Sequence, residues 1–117
     1  VIFGAGYGFD MLAEARWLQS RRIYYWGDID THGFAILDQI RALFPNIVSF
    51  LMDRDTLLAH RPHWGKEPKP ERRELHGLNG TEAVLYDALR QNRLGAQLRL
   101  EQERIRFEWV KTALKKL

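Results

Sequence analysis

Tyr25-Trp26-Gly27-Asp28-Ile29-Asp30-Thr31-His32-Gly33-Phe34 is the stretch on which the fold turns. Residues 23–26 form a short run of β-branched and aromatic side chains, which favours extended chain, and the run stops at Gly27 and Asp28. Asp30 or Thr31 can then cap a helix whose apolar positions Phe34, Leu37, Ile40 and Phe44 recur at helical spacing, with Ala35, Ile36 and Leu43 widening its buried face. Pro45 and Asn46 end that helix. The stretch predicts a strand, a tight turn and a helix, with two aspartates in the turn.

The same alternation continues on both sides. Upstream, an apolar run over 1–3 meets Gly4, Gly6 and Gly8, and Phe9, Leu12, Ala15 and Leu18 follow at helical spacing, closed by Arg21 and Arg22. Downstream, residues 47–52 predict a third strand ending at Asp53. Strands alternating with helices of about a dozen residues imply an α/β fold with a parallel sheet and right-handed crossovers. In such sheets ligands gather beyond the carboxyl ends of the strands, where Asp28, Asp30 and Asp53 fall. Asp53 has a plainer reading as the cap of a helix through Thr56, Leu57 and Leu58.

Over 59–77 the pattern gives way to prolines, charges and an isolated Trp64, which predicts a loop. Two helices are expected across 79–117. The first is capped at Asn79 or Thr81 and buries Val84, Leu85, Ala88 and Leu89; the second follows a break near Gly95 and carries Ile105, Trp109, Ala113 and Leu117. The 117 residues suffice for one core and are read as one domain. Because Val1 opens inside a strand, the chain reads as an N-terminally truncated piece.

Apolar residues at 45% and charged residues at 28% are ordinary for a globular protein and argue against disorder. No window is apolar enough to span a bilayer and no signal sequence is present, so a cytoplasmic protein without a membrane partner is expected. With no cysteine, disulfides and thiolate metal sites are excluded. The net charge of +3 suits a polyanion only weakly.

Asp28 and Asp30 are two apart, so in extended chain both carboxylates point to one side and can face one hard cation. Magnesium takes oxygen ligands, commonly one or two carboxylates plus substrate phosphate. Gly27 and Gly33 would leave room for a phosphate to approach, and the N-terminus of the following helix would add partial positive charge. A pair serving only as turn and cap is the plain alternative. A haloacid-dehalogenase-like phosphatase also uses D-x-D after a strand, but continues to an apolar residue where this chain has His32-Gly33. A dinucleotide fold would use Gly4-Ala5-Gly6-Tyr7-Gly8, yet its third glycine comes one residue early and Asp30 is left without a role.

Further segments carry a resemblance. Phe3-Gly4-Ala5-Gly6-Tyr7, the stretch from Tyr25 to Leu37, Leu51-Met52-Asp53 with Thr56-Leu57, and Arg99-Leu100-Glu101-Gln102-Glu103-Arg104-Ile105 together resemble, in order and over nearly the whole chain, the JetD C-terminal family of the Wadjet anti-plasmid defence system. That family is similar to the Toprim domain of the topoisomerase VI A subunit. The resemblance implies a four-stranded parallel Toprim sheet, Asp28 and Asp30 as catalytic ligands of Mg²⁺ (or Mn²⁺), and cleavage of double-stranded DNA. It further implies a catalytic glutamate upstream of Val1, a sheet lacking its first strand, so that a gap, an unpaired edge or a neighbouring chain is expected between the strand near Val1 and the strand near Tyr25, and partners comprising an SMC-type ATPase, a kleisin and a small winged-helix subunit. A homodimer stays open. A non-catalytic Toprim scaffold is the alternative of a different class.

Of the remaining candidates, Glu101 and Glu103 are read at the start of the last helix, where acids suit the dipole or can reach the metal. His32 stands beside the acids and can meet a phosphate. His60 and His63 lack further ligands at usable spacing and read as surface loop. Arg21, Arg22, Arg54, Arg61, Lys66, Lys69, Arg72 and Arg73 can track a DNA backbone or simply be solvated. Trp17, Trp26 and Trp109 read as core.

Overall fold

The computed structural model describes the backbone of residues 2–4 and all of residues 22–117. The expected helix through Phe9 and Leu18, with Gly6, Gly8, Trp17 and Arg21, lies outside the described residues. The fold is α/β. Strands β1 (Ile2–Gly4), β2 (Tyr24–Trp26) and β3 (Val48–Ser49) form one parallel sheet in the order β1-β2-β3. β1 pairs directly with β2, from Ile2 opposite Tyr24 to Gly4 opposite Trp26, which corrects the expected gap between these two strands.

In β2 the side chains alternate as a strand requires. Tyr25 is buried on one face, while Tyr24 and Trp26 point to the other and meet the ring of Phe50 edge-on at 6.5 and 5.8 Å. The third strand is shorter than the 47–52 expected. Phe50 N still donates to Tyr25 O at 2.8 Å, but Leu51 turns to a positive φ of 55°, a region unfavourable to a side chain, and there the extended run ends.

Helix α1 (Thr31–Leu43) is capped by Asp30, whose carboxylate accepts from Gly33 N. It buries Phe34, Ala35, Leu37 and Ile40, and Phe44 just beyond it; each of the Phe, Leu and Ile side chains contributes about 1.5–3 kcal/mol. Leu43 is 44% exposed and not part of the buried face. Helix α2 (Arg54–Ala59) is capped by Asp53. Helix α3 (Gly80–Arg90) starts with a capping box in which Asn79 accepts from Glu82 N and Glu82 accepts from Asn79 N. It packs Leu85, Tyr86, Ala88 and Leu89 inward, with Tyr86 edge-on to Phe34 of α1. Val84 is 61% exposed: the buried face of the helix runs through Glu82, Leu85, Tyr86 and Leu89, and Val84 lies off it.

Helix α4 (Phe107–Lys115) begins later than expected: Ile105 is buried just before it, Trp109 and Ala113 pack against the core, and Leu117 is exposed. The region read as loop contributes a strand to a second sheet, in which β4 (Gly65–Lys66) and β5 (Leu98–Arg99) pair antiparallel. His60 is buried there and is no surface-loop residue. Its Nδ1 donates to Thr56 O at 2.7 Å, its Nε2 accepts from Arg106 N at 3.1 Å, and its ring meets Trp109 edge-on. His63 is exposed.

Candidate functional site

Beyond the carboxyl end of β2 the chain Asp28-Ile29-Asp30 stays extended long enough to pair with the segment after β5. Ile29 N donates to Leu100 O at 2.9 Å and Leu100 N to Ile29 O at 3.1 Å. This antiparallel register sets Asp30 against Arg99 and Asp28 against Glu101. The two aspartates, alike in sequence, thereby acquire opposite surroundings.

Asp30 is almost fully buried and both its oxygens are engaged. Oδ1 accepts from Gly33 N at 2.6 Å and Oδ2 from Arg99 Nε at 2.8 Å. Burial pushes its carboxyl up; Gly33 pulls it back, Glu67 raises it, Arg99 lowers it and Asp28 raises it again, the upward influences prevailing. Burial likewise raises the Tyr25 phenol behind the site, helped by Asp28 and then Asp30.

Asp28 is half-buried. Its Oδ1 accepts from Gln102 N at 2.9 Å, and its Oδ2 takes no hydrogen bond from the described residues. Glu101 and Glu103 flank Gln102 in a 3-10 turn, Gln102–Arg104, that precedes α4, so they do not sit in the first turn of the last helix as expected. A hydrogen bond that the protonated Glu103 carboxyl would donate to Glu101, the charge of Glu101, slight desolvation and then the charge of Asp28 hold the Glu103 carboxyl above its usual range. Among the described residues no group of three or more His, Asp or Glu side chains is arranged to hold a metal ion.

The glycines have an internal role. A Cβ on Gly33 would overlap the Asp28 carbonyl, and one on Gly27 would overlap the Tyr25 ring, so both permit close packing of the turn itself. The N-terminus of α1 is likewise filled by carboxylates. Besides the Asp30 cap, the buried Glu67 accepts from Thr31 N at 3.1 Å, Thr31 Oγ1 at 2.8 Å and His32 N at 3.0 Å, and also contacts His32 Nδ1. These acceptors use the free amides and the positive end of the helix dipole. His32 remains half-exposed beside them.

Asp53 is exposed and caps α2, accepting from Thr56 N at 2.8 Å, apart from the two aspartates of the turn. Glu67 and Arg99 were not singled out by sequence reasoning. Arg99 stands in the family-like segment, but Glu67 lies between charged residues and prolines with no local signal of burial.

The fold and site define an α/β domain with a parallel sheet and acidic residues gathered at a strand end. The family described as Wadjet protein JetD, C-terminal, matches residues 1–114, and the chain belongs to it. This membership gives it a part in the Wadjet defence system. None of the curated proteins matches the chain.

Proposed function

We propose that the chain is the metal-dependent, Toprim-type nuclease domain of its Wadjet system, acting on double-stranded DNA in a complex with partner subunits of the SMC, kleisin and winged-helix kinds. The observation that carries this reading is the antiparallel bridge of Ile29 with Leu100 beyond the end of β2, which sets Asp28 opposite Glu101. Like charges set against each other across a strand pair are unfavourable unless a cation relieves them. Asp28 and Glu101 fit a hard cation such as Mg²⁺ or Mn²⁺: both offer carboxylate oxygens, and Oδ2 of Asp28 takes no hydrogen bond from the described residues. Asp30 fits as a ligand only once Arg99 withdraws from it.

A bound cation would neutralise the scissile phosphate and lower the pKa of a water. The chain's own part is positional. The Ile29–Leu100 bridge fixes Asp28 against Glu101, the Asp30–Arg99 pair holds the turn, and the Gln102 amide orients the Asp28 carboxylate. The resemblance adds a glutamate from upstream.

The test is calorimetric Mn²⁺ binding together with plasmid cleavage by the full-length protein. Asp28→Asn and Glu101→Gln are expected to weaken binding at least tenfold and to abolish cutting, with the melting temperature retained. Undiminished cleavage by both variants would overturn the reading. The engagement of Asp30 by Arg99 favours one alternative, a non-catalytic scaffold for DNA or partner subunits; a full-length protein that binds DNA and never cuts would support it.

A further inference from the structure

The loop that follows β4 buries one acid, Glu67, and carries its cations outward. Glu67 is buried on the first amides of α1, and Glu67 N donates to Gln97 O at 2.7 Å. Glu71 N donates to Thr31 Oγ1 at 2.6 Å, while the Glu71 carboxylate turns back onto the amides of Arg72 and Arg73 at 3.1 and 3.3 Å. Farther along, Tyr86 Oη of α3 donates to Arg73 O at 2.6 Å and Arg90 Nη1 to Arg72 O at 3.3 Å. Pro68 and Pro70 restrict the backbone between these anchors. The backbone of the loop is therefore fixed to α1 and α3, whereas Lys66, Lys69, Arg72 and Arg73 are exposed. Arg73 makes a 3.5 Å pair with Glu71, and Glu74 is the one exposed acid within 65–74.

Its place matters as much as its charge. Thr31 and His32, to which the loop is tied, follow Asp30 directly, and Lys66 is paired across β4 and β5 with Leu98, next to Arg99. The loop is thus tied to the residues that follow the carboxylate turn, on a pre-ordered backbone, so little backbone freedom would be lost on meeting a regular array of phosphates.

We propose that this loop is the phosphate-backbone contact of the domain, seating duplex DNA beside Asp28 through Lys66, Lys69, Arg72 and Arg73. The assignment rests on the nuclease reading for the choice of DNA as partner. Phosphate contacts of this kind supply sequence-independent affinity and set the salt dependence, at a slope of about 0.9 per phosphate neutralised.

The test measures binding of this chain to a fluorescein-labelled duplex by anisotropy in EDTA, across about 50 to 200 mM salt. Lys69→Gln/Arg72→Gln/Arg73→Gln is expected to bind at least tenfold more weakly and to lower the salt slope by about 2 to 3, with an unchanged melting curve. Lys111→Gln/Lys115→Gln on α4 is expected to bind as the unaltered chain does. Equal affinity and slope in the loop variant, or no binding by the unaltered chain at the lowest salt, would overturn the proposal. So would a loop variant that binds DNA normally yet loses a partner subunit, which would make the loop a protein-docking surface. If the loop variant binds normally while Asp28→Asn still abolishes cutting, the loop assignment fails and the nuclease reading stands; normal loop-dependent binding without cutting by the full-length protein gives the reverse.

Discussion

Asp30 and Arg99, 69 residues apart in sequence, form an ion pair of 2.8 Å in which the carboxylate is only 2% exposed and the guanidinium 24%. The pair ties the turn after β2 to the segment after β5. Removing the cation would leave a buried charge whose remaining hydrogen-bond donor is a backbone amide. Arg99→Ala is therefore expected to destabilise the domain by about 3 kcal/mol, the lower end for breaking a buried pair since Arg99 is partly solvated. Asp30→Asn combined with Arg99→Leu should recover part of that loss. Urea denaturation measures both; an unchanged midpoint in Arg99→Ala would show that the pair contributes nothing.

Acid stability is expected to depend on Glu82. Burial pushes its carboxyl up, but hydrogen bonds from Arg41, Ser49 and the Asn79 amide, with the Arg41 charge, outweigh this and leave it below the ordinary value of 4.5. A depressed carboxylate contributes stability that is present above its unfolded pKa and is lost as pH falls through the folded one. Stability should thus decline as pH drops below about 4.5, and Glu82→Gln should flatten that decline while costing stability at neutral pH. Parallel stability curves for the two proteins between pH 3 and 6 would refute the assignment.

Two glycines give opposite expectations. Gly33→Ala would drive a methyl group into the Asp28 carbonyl and should cost about 1–3 kcal/mol through forced displacement of the turn. Nothing lies within 4 Å of a Cβ on Gly80, so Gly80→Ala should be neutral or stabilising by up to about 1 kcal/mol. Thermal melts of both variants suffice, and a harmless Gly33→Ala would contradict the packing described.

His60 bridges Thr56 O and Arg106 N inside the core, joining α2 to the start of α4. His60→Phe leaves both backbone groups without their partner and is expected to cost about 1–3 kcal/mol. His63→Ala, at an exposed position, should stay within about 0.5 kcal/mol of the unaltered chain. Equal losses from both would mean that burial of His60 carries no hydrogen-bonding role.

The sequence by itself determined the local elements. Residues 23–26, the helical spacing of Phe34, Leu37 and Ile40, and caps at Asp30, Asp53 and Asn79 are all met in the structure, because strand preference and capping depend on neighbours within four residues. Periodicity found a buried face without its width, which depends on what covers it; hence the exposure of Leu43, Val84 and Leu117. Only the tertiary structure decided the fates of the paired aspartates. Their spacing is local and readable, but the neutralisation of Asp30 by Arg99 and the approach of Glu101 to Asp28 follow from a segment that returns from the far end of the chain. The burial of Glu67 against Thr31 and His32 has the same origin: a polar side chain surrounded by polar sequence becomes interior only where the chain path brings helix-end amides to meet it.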